Sequence, residues 1–349
     1  MIKKAVAILS LISVMVISSI TDVYAQDGYN NIYIEGSPQE ISLELNKEVF
    51  KNADEVFLVS EELSTDALSL TPLAYAKDAP ILTVEWKKLS KEFVNYLREL
   101  GVKKVTLIGG INLISRTTEQ QLMDMGYEVE RIKGSGPFQR SRKIANLLSE
   151  EIKVKKAIVV NSKSSGANAL AVASYAAQNN MALILSDDRY MSETVGFLNK
   201  KGYKEIYAIG NSERFIKHMT EKSDTPSVII KEITRQDMNI KIIKDTYKNK
   251  SLDSIYTANT DYDNYGKIGD YISLGLVSAK QDIPILICLE NYSYSQKKFL
   301  EESSVKNIIT VGKTVGDYSI KNALTNKSFM STIALIVLLL IMAIKGFKS

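Results

Sequence analysis

"KKVTLIGG" at residues 103–110, "KEIYAIGN" at 204–211 and "KNIITVGK" at 306–313 are one phrase written three times. Each is a run of apolar, mostly β-branched residues that opens on lysine and reaches a glycine at its end. Matching Gly109 with Gly210 and Gly312 gives steps of 101 and 102 residues. That period is too long for a solenoid repeat and is the size of a small domain. Working outward, each phrase is preceded by two more short apolar runs. The first set is "EVFLVS" (55–60), "KAIVVN" (156–161) and "DSIYTAN" (253–259); the second is "APILTV" (79–84), "MALILS" (181–186) and "IPILICL" (283–289).

These runs are continuous rather than alternating, as strands buried on both faces of a parallel sheet require, and the segments between them have helical length and period. "KEFVNYLREL", for example, places Phe93, Tyr96, Leu97 and Leu100 on one helical face. The pattern predicts an α/β fold of three tandem doubly wound parallel-sheet units, each of roughly 100 residues. The third copy ends near Asn326, before it can supply a counterpart of "YEVERIKG" (127–134) and the helix after it. At the other end, "IYIEGSPQEISLELNKEVF" (32–50) holds that place ahead of the first copy, and "VIIKEITRQDMNIKIIKDTY" (228–247) holds it ahead of the third. The units are therefore set at 27–126, 127–226 and 227–327. No long Pro/Gly/Ser linker separates them, which argues for units packed together.

The two ends read differently. Lys3-Lys4, an apolar stretch to Ile20 and the Val23-x-Ala25 ending predict a signal peptide over residues 1–25. Residues 329–344 carry no charge and are followed by Lys345 and Lys348. At 1.5 Å per residue they reach roughly 24 Å, short of a ~30 Å hydrocarbon core, yet they are expected to form a transmembrane helix. The body would then lie outside, exported and membrane-anchored at the cell surface, with 345–349 as a cytoplasmic tail. The formal net charge is +4. The leader (Lys3, Lys4, Asp22) carries +1 of it and the tail (Lys345, Lys348) +2, so the body is nearly neutral at +1 and an anionic partner must meet a local patch. An exported body excludes nucleic acid as a partner. Cys288, the only cysteine, allows no intrachain disulfide and reads as a buried core thiol.

In a doubly wound sheet, ligands meet the carboxyl ends of the strands. There Asp66, Asn168 and Asp270 occupy equivalent places before helices, and Asp, Asn and Asp are favoured N-cap types at ~1 kcal/mol each. A catalytic carboxylate would not readily become Asn in one copy. Gly109-Gly110 lacks the third glycine of a dinucleotide loop, and "VGKT" (311–314) lacks the first glycine of a P-loop, since Asn307 stands there. Asn259, Asp261, Asp263 and Asp270 fall in a calcium-loop register, but Asn264 and Asp270 replace its glycine and bidentate glutamate, so a polar loop is favoured. His218 is the sole histidine and no nucleophile elbow or zinc helix accompanies it. No catalytic set, metal or cofactor is expected. Trp86, the only tryptophan, sits at a strand end, where it either packs or stacks on a sugar ring. Between residues 131 and 156 stand Arg131, Lys133, Arg140, Arg142, Lys143, Lys153, Lys155 and Lys156 against only Glu150 and Glu151. That run is either a solvated helix face or a patch for an anionic polymer.

"ADEVFLVSEELSTDALSLTPLAYAKDAPILTV", "LRELGVKKVTLIGGINLIS" and "GYEVERIKG", in that order and spacing, resemble the cell-wall-binding repeat type 2 family of Gram-positive surface proteins. The resemblance implies three open α/β units in a pseudo-threefold arrangement that hold a protein noncovalently to an anionic wall glycopolymer. The family's "PILL" stretch, implicated in that binding, corresponds to Pro80, Ile81, Leu82 and Thr83, to Ala182 through Leu185, and to Pro284, Ile285, Leu286 and Ile287. Where the family commonly carries an Arg-Tyr pair after "RIxG", this chain has "GSGPFQR", with Pro137, Phe138 and Arg140. The expected polymer contacts are therefore the Pro80–Thr83 and Pro284–Leu286 stretches with Arg131, Lys133, Arg140, Arg142 and Lys143. The leading expectation is a non-enzymatic wall-binding surface protein. The alternatives are an exported α/β enzyme acting on a phosphate or sugar substrate, or a structural ectodomain that meets other surface proteins.

Overall fold

The computed structural model describes residues 29–312 apart from 63–64, 162–165, 211, 232–233, 261–268 and 290. Its strands are β1 (Asn30–Ile34), β2 (Glu55–Ser60), β3 (Ile81–Val84), β4 (Lys104–Ile108), β5 (Glu128–Ile132), β6 (Lys156–Asn161), β7 (Met181–Ser186), β8 (Glu205–Ile209), β9 (Ser227–Ile230), β10 (Ser254–Asn259), β11 (Ile285–Cys288) and β12 (Asn307–Val311). They form three four-stranded sheets in the orders β3-β2-β4-β5, β7-β6-β8-β9 and β11-β10-β12-β1. Every ladder is parallel. The order reverses between β2 and β4, and likewise in the other two sheets, which makes each unit doubly wound.

The helices are α1 (Pro38–Val49), α2 (Thr71–Ala76), α3 (Lys91–Leu100), α4 (Arg116–Asp124), α5 (Pro137–Glu151), α6 (Ala167–Gln178), α7 (Met191–Lys201), α8 (Glu213–Glu221), α9 (Arg235–Thr246), α10 (Leu274–Gln281) and α11 (Tyr294–Glu302). Serine starts many of them. Ser37, Ser90, Ser115, Ser212 and Ser293 each accept a hydrogen bond from a first-turn N–H, which satisfies a donor the helix cannot. The buried faces follow the 3.6 period: α3 covers its sheet with Phe93, Tyr96, Leu97 and Leu100.

The chain closes on itself. β1, at one end of the described chain, pairs with β12 at the other, from Asn30 opposite Asn307 to Ile34 opposite Val311. It thus supplies the fourth strand that the third copy lacks. Helices α1, α5 and α9 then dock on β3, β7 and β11, so each fourth strand belongs in space to the sheet before the helix that follows it. At the centre, α2, α6 and α10 pack on one another. Thr71, Ala173 and Gly275 stand 102 residues apart in sequence and meet there. A Cβ on Gly275 would lie 2.9 Å from the Ala173 Cβ and 3.1 Å from the Thr71 Oγ1. Contact between equivalent residues of three units is what a pseudo-threefold axis requires, and only glycine fits so close an approach.

One expectation is corrected. Among the described residues no helix is long and apolar enough to cross a membrane. The stretch 329–344, expected as a transmembrane helix, lies outside the described residues, as do the signal peptide 1–25 and the tail 345–349. Its roughly 24 Å reach already fell short of a ~30 Å core. The fold class is thus three α/β units, and the membrane partnership and anchored orientation rest on no described element. Cys288 is buried in the third sheet, and burial pushes its thiol well up, so it stays protonated in the core.

Candidate functional site

The carboxyl ends of the strands are where a doubly wound sheet takes a ligand, at the point where strand order reverses. Among the described residues, the glycine that ends the third strand of each unit stands against one of the chain's own side chains. Gly109 has φ +105 and a Cβ there would strike Leu113; a Cβ on Gly210 would meet Asn161 at 2.7 Å; on Gly312, with φ +68, it would meet Asp270 Oδ2 at 2.9 Å. These equivalent glycines are needed because the backbone turns left-handed against a packed side chain. The first loop is also clamped from beside it. Arg131, on β5, donates from one guanidinium nitrogen to the carbonyls of Gly109 and Gly110 at 3.1 and 3.2 Å, and from the other to Glu119 at 2.9 Å.

The "PILL" stretches form buried edge strands. Pro80 is buried, Ile81, Leu82 and Thr83 are fully so, and Ile285 and Leu286 are equally enclosed. An edge strand exposes unpaired backbone groups, and here a polar residue on the covering helix satisfies them. Ser42 of α1 accepts from the Thr83 N–H at 3.0 Å, Ser141 of α5 accepts from the Leu185 N–H at 3.1 Å, and Asn239 of α9 accepts from the Ile287 N–H at 2.8 Å. Asn239 also donates to the Ile285 carbonyl at 3.0 Å, and Asn46 donates to the Ile81 carbonyl at 2.8 Å. Ser273 of the third unit reaches the same Ile81 carbonyl at 2.8 Å, tying the third unit to the first. These sealing residues were not singled out in the sequence. Their signal is a polar residue on the apolar face of an amphipathic helix, as Ser42 is in "QEISLEL". Beside Pro284 and Ile285 lies a crevice lined also by Tyr175 and Tyr247, with about 10 Å³ of room, enough for one water and too little for a sugar.

The basic run divides. Arg131 is 3% exposed and held as described. Arg140 is buried against Gly134, and Arg142 pairs with Glu193 at 3.0 Å. Lys156 pairs with Glu205 at 2.6 Å. Lys133, Lys143, Lys153 and Lys155 are exposed. The residues read as caps stand elsewhere in their turns. Asp66 lies in a 3-10 turn (Thr65–Leu70) and Asp270 in another (Gly269–Tyr271). Asn168 is the second residue of α6, whose N-cap is Gly166 with no side-chain cap bond. Of the calcium-loop register, Asn259 ends β10 in the interior, while Asp261 and Asp263 lie outside the described residues. Trp86 is exposed in the loop after β3.

Where the third unit meets the first, carboxylates crowd. The backbone at Gly269 packs on the Glu61 carbonyl, leaving no room for a side chain there. Partial burial raises the Glu61 carboxyl above its ordinary 4.5, with Glu85, Glu62 and Asp270 adding repulsion. A raised carboxyl binds its proton more tightly folded than unfolded. Its contribution is therefore fully present below about pH 4.5 and is lost as pH rises through the raised value. Glu61→Gln should raise the melting temperature at pH 7 by about 1–2 °C and change it little at pH 4. Equal shifts at both pH values would refute the assignment.

The profile described as Cell wall binding domain 2 (CWB2) matches residues 27–119 and 131–215, about half the chain. The chain belongs to this family. Among solved structures it is similar to Cwp6 from Clostridium difficile, with TM-score 0.72 and 25% identity over 83% of this chain and 46% of that one. Cwp8 from Clostridium difficile gives TM-score 0.72 and 25% identity, covering 89% of this chain and 54% of that one. By sequence it is 25% identical over 274 residues to the N-acetylmuramoyl-L-alanine amidase LytC of Bacillus subtilis (strain 168), covering 78% of this chain and 53% of the relative. It is 25% identical over 287 residues to the Amidase enhancer of the same organism, of which it covers 38%. The chain thus spans about half or less of the length of these curated relatives.

Proposed function

We propose that this chain is an exported, non-enzymatic surface protein whose three CWB2 units hold an anionic secondary wall glycopolymer at their strand-end loops. One observation carries the reading. The glycines at the strand ends stand against Leu113, Asn161 and Asp270, while Trp86, Tyr190, Tyr294 and Lys133 stay exposed in the segments that follow the strands. That arrangement suits an extended polymer lying across loops better than a molecule enclosed in a pocket. The buried "PILL" stretches serve it as scaffold, fixing the loops that follow them. Exposed Lys133, just beyond β5, supplies positive charge at that end of a nearly neutral body, whereas Lys153 and Lys155 precede β6 and stand at the opposite end of the sheets.

Co-sedimentation of the full-length chain with purified Gram-positive wall sacculi tests this. The chain should pellet with sacculi that retain their secondary polymer and remain in the supernatant with sacculi stripped of it. Equal recovery in both supernatants would end the proposal. Hydrolysis of the sacculi by the purified chain would favour an enzyme instead.

A further inference from the structure

The loop that leaves the edge strand of each unit carries one exposed aromatic ring. Trp86 follows β3 and is 44% exposed, Tyr190 follows β7 at 37%, and Tyr294 follows β11 as the first residue of α11 at 82%. Among the described residues the only other large aromatic side chain so exposed is Tyr33. A cation accompanies each of the three. The Lys87 Nζ stands 4.2 Å from the Trp86 ring centre, and the Arg189 guanidinium 5.7 Å from the Tyr190 ring. Lys297, exposed, lies one helical turn beyond Tyr294.

Two of the rings are held by contacts of their own, and the third by the backbone that carries it. Trp86 Nε1 donates to the Ile111 carbonyl at 3.0 Å, and the Trp86 carbonyl accepts from the Ser115 N–H at 3.0 Å and the Thr118 hydroxyl at 2.9 Å. The Tyr190 ring packs on Phe138 with centroids 4.7 Å apart, and Arg189 is fixed by Asp187 at 2.8 Å. Tyr294 starts a helix whose end is locked by a capping box from Ser293 and Gln296. An exposed large ring costs hydrophobic free energy, and a fixed one loses little entropy on binding. A fixed ring with a cation beside it matches a sugar bearing a phosphate or carboxylate: the apolar face of the pyranose stacks on the ring and the anion meets the cation.

We propose that Trp86 with Lys87, Tyr190 with Arg189 and Tyr294 with Lys297 are three subsites, one on each unit, for separate stretches of an anionic glycopolymer. This rests on the wall-polymer reading and names the groups that make the contact. Three weak sites on one rigid body give avidity for a repeating polymer and little affinity for its monomer. The loop sequences differ between units, which explains why no shared motif marks them.

Because Trp86 is the only tryptophan, its emission reports on one subsite directly. The probe is the soluble polymer released from wall sacculi, titrated into the full-length chain. Emission should change saturably with polymer and hardly at all with its monosaccharides. Trp86→Ala, Tyr190→Ala and Tyr294→Ala should each weaken polymer binding about fivefold, and the triple variant about fiftyfold, with melting temperatures near that of the parent. Trp86→Phe should retain most of the affinity. A folded triple variant that binds as the parent does overturns the inference, whatever the emission shows, and leaves the wall-polymer reading standing. A parent chain that ignores wall sacculi overturns both.

Discussion

Gly275→Val is expected to destabilise the whole three-unit body by about 3 kcal/mol and to lower its melting temperature by roughly 5–10 °C. The added side chain has nowhere to go, because a Cβ alone would stand 2.9 Å from Ala173 and 3.1 Å from Thr71 at the contact of α2, α6 and α10. Glycine inside a helix costs about 1 kcal/mol relative to alanine, so an unconstrained site would improve on substitution. The axis position should not. A sharper control is Ala173→Gly in a Gly275→Ala background, which moves the missing methyl from α10 to α6 and should recover most of the loss. Denaturant unfolding of the single and double variants measures it. A Gly275→Val chain as stable as the parent would mean that the three helices do not meet as described.

Asn239→Leu should cost about 3 kcal/mol, because it keeps the branching at Cγ, adds bulk at a buried site and strands two buried backbone groups at about 1–3 kcal/mol each. The amide is fully buried and holds both the Ile285 carbonyl and the Ile287 N–H of the edge strand β11. Ser42→Ala removes only the acceptor for the Thr83 N–H and should cost less. Hydrogen exchange supplies a local readout: the Ile287 amide should lose protection in Asn239→Leu beyond the global loss. Unchanged protection at Ile287 would show that the helix does not seal the strand.

The fold was legible because its determinants are local. Continuous apolar runs such as "KVTLI" mark strands buried on both faces, and the glycine closing each third run marks the turn that every unit makes. The displaced "YEVERIKG" counterpart also showed in the sequence, and β1 beside β12 gives it a physical meaning, since the chain's beginning completes the sheet at its end. The helix starts were less legible. Asp66, Asn168 and Asp270 have cap-forming side chains, but 3-10 turns and Gly166 shift the helix boundaries around them, and serines cap many of the other helices.

The candidate site was legible only in part, because charge and exposure depend on packing between elements distant in sequence. Arg131 reads as a surface cation, yet Gly109, Gly110 and Glu119 enclose it. The "PILT" stretch marks a strand, but only the fold brings Ser273, 192 residues away, to the Ile81 carbonyl. Trp86 was visible as a lone aromatic at a strand end. That Tyr190 and Tyr294 are also exposed after the corresponding strands of the other units appears only from the fold, since they stand four and six residues past the strand where Trp86 stands two.

Binding of wall polymer to this assembly is read by calorimetric titration of the full-length chain with soluble polymer released from wall sacculi. Saturable binding is expected, weakening as salt is raised from about 50 mM to about 500 mM, because the exposed cations beside the rings are screened over about a Debye length. Absence of binding at low salt, at every polymer concentration tested, would contradict it.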